Sequence, residues 1–162
     1  MMNTNRLLAG LAALSLAFAA AGCGGEPEAP ASTAPDAPEG VTISDGRLML
    51  PAVAGNPGAV YFTIKNAGPD DVMIRAASVA GAASAMMHQT AEWNLQVDMQ
   101  ELMQVAVPKG GEVVFAPGGM HVMAMELDDA LTVGGETEVT LTFVGGDKAS
   151  FPAAIRAPGD DS

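Results

Sequence analysis

Two histidines and a scatter of methionines are the residues in this chain whose types and spacing could do chemistry. Among 162 residues the histidines are His88 and His121. His121 opens the run His121-Val122-Met123, which follows the turn signals Pro117-Gly118-Gly119, and its alternation predicts a β-strand. Residues two apart on a strand share a face, so His121 and Met123 present an imidazole nitrogen and a thioether sulfur side by side. That pairing suits a soft or borderline metal, copper above all, and suits calcium or magnesium badly. Ten residues separate His88 from Met99, twenty-one separate Met99 from His121, and one separates His121 from Met123.

This constellation resembles the signature of the PCuAC family of periplasmic copper chaperones, a His, a Met and a His-x-Met at these intervals. Val107-Pro108-Lys109-Gly110-Gly111, Ala116-Pro117-Gly118-Gly119-Met120-His121 and Thr140-Leu141-Thr142-Phe143 look like further landmarks of that family. The likeness covers residues 41 to 157. It implies one Cu(I) per chain, held by His88, Met99, His121 and Met123. It also implies a Greek-key, cupredoxin-like β-sandwich that hands copper to an acceptor, and a monomer is expected. The acceptor would be the CuA centre of a respiratory oxidase or another copper chaperone. Gln89 stands where many relatives carry a further Met, and the C-terminus lacks a His- and Met-rich tail. Auxiliary candidates at the site are Met87, Met125 and Trp93. Met86 and Met87 both precede His88, and either can line a metal pocket. Met49, Met73 and Met103 are assigned to the core.

The donor chemistry favours Cu(I). A thioether is soft, uncharged and does not titrate, whereas each ligating imidazole must be neutral, so acid should weaken binding. A blue-copper electron carrier needs a Cys ligand, and the one cysteine, Cys23, lies in the leader region. No Ser/His/Asp arrangement is evident and the carboxylates are scattered, so an enzyme is not expected. Two rival readings remain open: an envelope copper buffer or resistance protein without a dedicated acceptor, and a structural β-sandwich lipoprotein with a vestigial site.

Residues 1–22 read as a secretory signal: Arg6, then the uncharged apolar stretch Leu7 to Ala21, too short to span a bilayer comfortably. Its end, Ala20-Ala21-Gly22-Cys23, resembles a bacterial lipobox, which implies cleavage before Cys23 and lipid attachment to it. An ordinary signal cut nearby is the alternative. Gly24 rather than Asp after the cysteine points to the outer membrane of a double-membraned bacterium, on the periplasmic side. Residues 23–40 read as a tether. Pro27, Pro30, Pro35 and Pro38 favour an extended chain, and Glu26, Glu28, Asp36 and Glu39 keep it solvated. Residues 158–162 form a short acidic tail. Seven Lys and Arg against 19 Asp and Glu leave a formal net charge of −12. Such a surface has no electrostatic footprint for nucleic acid and no basic patch for anionic lipid, so contact with a membrane depends on a lipid anchor.

Between the tether and the tail, residues 41–157 suffice for one core. Short runs rich in β-branched and aromatic residues recur between Gly, Pro and Asn signals, predicting strands over 46–50, 59–66, 71–80, 85–90, 100–107, 111–116, 121–127, 136–144 and 149–155. This is an all-β antiparallel sandwich or barrel. Alternation places Val60, Phe62 and Ile64 on one buried face, Val139, Leu141 and Phe143 on another, and Val113 and Phe115 between them.

Overall fold

Alternation of apolar and polar residues shapes the central strands, three of which (58–66, 136–143 and 148–156) hide every second side chain. The structure, a computed structural model, describes residues 36–93 and 96–160, without the side chains of 92, 93, 96 and 97. The signal segment, Cys23, the tether up to residue 35 and the last two residues of the tail lie outside the described residues. Ten strands follow in order: β1 (Val41–Met49), β2 (Gly58–Asn66), β3 (Val72–Val79), β4 (Ala82–Trp93), β5 (Gln96–Glu101), β6 (Val105–Val107), β7 (Glu112–Phe115), β8 (Met120–Leu127), β9 (Glu136–Phe143) and β10 (Lys148–Arg156).

They hydrogen-bond into one sheet in the order β5-β4-β8-β7-β2-β1-β10-β9-β3-β6, with β8 also pairing β2. Most pairs are antiparallel; β1–β10 and β7–β8 are parallel. The sheet's two ends, β5 and β6, are joined by residues 102–104 alone. Three residues bridge at most roughly 14 Å, so the sheet must wrap until its ends lie close together. The result is a β-sandwich-like body around one core. Val60, Phe62, Ile64, Val139, Leu141 and Phe143 are all buried in it, as alternation predicts. Phe62 is its aromatic hub, stacked on Phe115 with centroids 4.2 Å apart and tilted against Phe151 at 5.0 Å.

Besides shifts of strand ends, such as β4 spanning 82–93 rather than 85–90, the structure differs from expectation in three places. First, β1 begins at Val41 rather than 46. Ile43 and Leu48 are both buried yet five residues apart, which an unbroken strand forbids. A bulge reconciles them: Asp45 and Gly46 together oppose Phe62, so Ser44 pairs Thr63 while Arg47 pairs Tyr61. Gly46 is required there, because a Cβ would lie 2.4 Å from the Pro152 carbonyl oxygen. Second, the strand expected over 100–107 is two. Its first part, β5, forms a hairpin with β4, and its second, β6, pairs with β3 at the far end of the sheet. Leu102-Met103-Gln104 carries no Gly or Pro to mark that break. Third, residues 36–40 are not free tether: Lys148 N–H donates to the Asp36 carbonyl, Val41 N–H donates to Pro38, and Ala37 packs on the core. Met73 and Met103, expected inside, are exposed, because Val72 and Ile74 take the inward positions beside Met73 and Met103 lies in the β5–β6 connection.

Candidate metal centre

The two histidines are cross-strand partners. In the β4–β8 ladder His88 pairs with His121, and their rings lie edge to face with centroids 6.0 Å apart. Two rows along, Met86 pairs with Met123 on the same face. Met99 on β5 pairs with Thr90, two residues beyond His88, and so joins that face from the other side. The four residues picked out by spacing therefore share one outer, half-open surface of the sheet. Met99 is 50% exposed and His121 only 7%. The opposite face of these strands carries Met87 and Val122 and belongs to the core.

A turn and one hydrogen bond set His121. Gly119 N–H donates to the Ala116 carbonyl at 3.0 Å, with Pro117 and then Gly118, at φ +76°, in the corner. Pro followed by a positive-φ glycine is the composition of a type II turn. The Gly119 carbonyl then accepts from Thr90 N–H at 3.1 Å and from His121 Nδ1 at 3.1 Å. A carbonyl can only accept, so Nδ1 carries the proton and Nε2 of the neutral ring keeps its lone pair for a metal. His88 Nδ1 is buried with no hydrogen-bond partner. A buried nitrogen of that kind is costly unless something else occupies it. Among the described residues no three His, Cys, Asp or Glu side chains gather as a metal-holding group, so a metal here would draw on thioethers. The donor set fits a soft monovalent ion and does not fit a hard divalent one.

The auxiliary candidates divide. Met87 is a correction: it pairs with Val122, points away from the histidines and is 3% exposed in the core. Neighbouring residues on a strand face opposite ways, and the outer partner is Met86. Met125 has the right parity but pairs with Ser84, four residues from His121 and roughly 14 Å along the strand at about 3.4 Å per residue. Trp93 ends β4 opposite Gln96, and its side chain lies outside the described residues. Register also brings in residues that spacing had not signalled. Glu101 pairs with His88 on one side. On the other, Tyr61 lies with its ring centroid 6.4 Å from that of His121, and the Arg47 guanidinium sits 5.3 Å above the Tyr61 ring. One row thus crosses the sheet as Glu101, His88, His121, Tyr61, Arg47, with opposite charges at its ends.

Known proteins share this architecture. The structure matches the copper-bound PCuAC domain from PmoF2 with a TM-score of 0.62 at 20% identity, covering 82% of this chain and 100% of that one. It matches the apo PCuAC domain from PmoF1 with a TM-score of 0.61 at 25% identity, covering 81% and 99%. It also matches the solution structure of CuI-DR1885 from Deinococcus radiodurans with a TM-score of 0.56 at 23% identity, covering 68% and 74%. In sequence, the chain is 30% identical over 156 residues to the "Putative lipoprotein Lxx21020" of Leifsonia xyli subsp. xyli (strain CTCB07), covering 96% of this chain and 92% of that protein. A family model described as "Putative lipoprotein LpqE-like" matches residues 41–155, from the start of β1 to within one residue of the end of β10. With both its histidines paired on a sheet of the PCuAC type, this chain belongs to the LpqE-like lipoprotein family.

Proposed function

We propose that this chain is a non-catalytic copper carrier of the cell envelope, binding one Cu(I) through His88, Met99, His121 and Met123 and passing it to an extracytoplasmic acceptor. The observation that carries the reading is the His88–His121 cross-strand pair on a half-open face, flanked by thioethers on three strands. The copper-bound states of two structural neighbours support it. The ligands are neutral and individually weak. An acceptor's thiol or imidazole can therefore replace one thioether at a time, and copper need never be released free. Met99, on the edge strand and half exposed, is the ligand an acceptor meets first. The acceptor is a copper centre of a respiratory oxidase, CuA in the first instance. Cys23 carries the lipid anchor, and the tether lets a monomer reach partners from the outer membrane.

Cu(I) titration of the protein against a chromophoric chelator tests the site. One tight equivalent is expected, lost or sharply weakened in both His121→Ala and Met123→Ala. Binding indifferent to both changes overturns the reading. Deletion of the gene should lower oxidase activity; copper sensitivity with intact oxidase would instead mark a buffer. Cys23→Ser should move the protein from the membrane to the soluble fraction.

A further inference from the structure

Beside the two histidines, the outer face holds one more thioether than the spacing motif uses. Met86 stands to His88 as Met123 stands to His121: each is two residues along its strand, and the two methionines are themselves register partners. His88, His121, Met86 and Met123 therefore form a two-by-two block on β4 and β8 alone. Directly opposed residues have Cβ atoms roughly 4.5–5.5 Å apart, and diagonal neighbours roughly 7–8 Å, within reach of a methionine. Met99 reaches the same histidines only from β5, beyond Thr90. Met86 is half-buried on this face, whereas Met87 and Met120, whose parity is opposite, pack with the core. Met125 lies two rows further along.

We infer that Met86 is a further copper ligand of this chain, alternating with Met99 for one coordination position. The inference rests on the copper-carrier reading. Two imidazoles and two thioethers fill a four-coordinate Cu(I), so three sulfurs cannot all bind at once. When Met99 swings off the ion at the exposed edge with no acceptor present, the Cu–S bond to Met99 breaks and one to Met86 forms. Both ligands are neutral, so the ion's charge and oxidation state are unchanged. The block on β4 and β8 is the closed, holding arrangement, and the Met99 arrangement is the one open to a partner.

The test combines Cu(I) competition titration with sulfur counting by copper X-ray absorption, on the parent, Met99→Leu, Met86→Leu and the double variant. Leucine conserves the volume of both side chains, and Met86→Gln provides a second sulfur-free variant if leucine disturbs the strand. Met99→Leu should keep two sulfurs on copper. Adding Met86→Leu should remove one sulfur and weaken binding by a further factor of about ten or more, the range that loss of a supporting group at a metal site produces. A double variant equal to Met99→Leu in affinity and sulfur count overturns the inference, as does a Met99→Leu protein with a single sulfur. Both results leave copper binding by the parent intact. A parent that binds no Cu(I) is the different pattern that overturns the carrier reading and this inference with it.

Discussion

Asn66 and the two histidines illustrate how the same chain uses hydrogen bonds for opposite purposes. Asn66 is 1% exposed and fully engaged: its side-chain N–H groups donate to the Asp70 and Val107 carbonyls at 2.8 and 3.0 Å, and its side-chain oxygen accepts from Gly68 N–H at 3.0 Å. It ties the end of β2 to the segments after it and to β6, at the opposite end of β2 from residues 58–60, which pair with β8. Asn66→Ala should therefore cost about 1–3 kcal/mol in denaturant unfolding and leave Cu(I) affinity unchanged. His121 and His88 are not saturated in this way, since one retains Nε2 and the other an unpartnered Nδ1. The spacing of the four ligand candidates was legible because it is a property of residue order. Choosing between Met86 and Met87 needed only parity, given that 82–93 is one unbroken strand with His88 facing outward.

At the scale of elements, small backbone features decide which side chains meet. The turn at Pro117-Gly118 delivers β8 with His121 outward and supplies the carbonyl that orients its ring. Nothing lies within 4 Å of where a Gly118 Cβ would be, so substitution there acts through backbone strain alone. Gly118→Ala should cost about 1–2 kcal/mol for an L-residue held at positive φ, and Cu(I) affinity should fall with it because the Gly119 carbonyl moves. A chelator titration that leaves affinity unaltered would show that the turn matters to folding only. The bulge at Asp45-Gly46 plays a comparable part in β1, since its extra residue sets Arg47 over Tyr61 while keeping Leu48 inside. Neither the bulge nor the break at 102–104 was visible in the pattern. A bulge inverts parity midway, and Leu102-Met103-Gln104 has the look of continuing strand.

For the molecule as a whole, stability rests on aliphatic and aromatic burial, with no intramolecular disulfide available to a chain containing one cysteine. Phe62 touches both Phe115 and Phe151 at the centre, where β2 meets β7. Phe62→Ala should lose about 3–5 kcal/mol, measured by equilibrium unfolding of the apo protein. Because β2 also pairs with β8, loosening that centre should reach the histidine row. The net charge of −12 adds a long-range effect: transfer to an acceptor with a basic face should slow as salt is raised, whereas a neutral acceptor should show little salt dependence.

Residue order by itself determined the donor types, their intervals, the all-β character and most of the core, because periodicity and composition are local properties of the chain. Only the tertiary structure decided which donors converge. Register is a relation between strands distant in sequence: β4 and β8 are brought together by pairing, and that pairing sets His88 against His121 and Met86 against Met123. The charged row from Glu101 to Arg47 is assembled across β5, β4, β8, β2 and β1, and no single segment of the chain contains a sign of it.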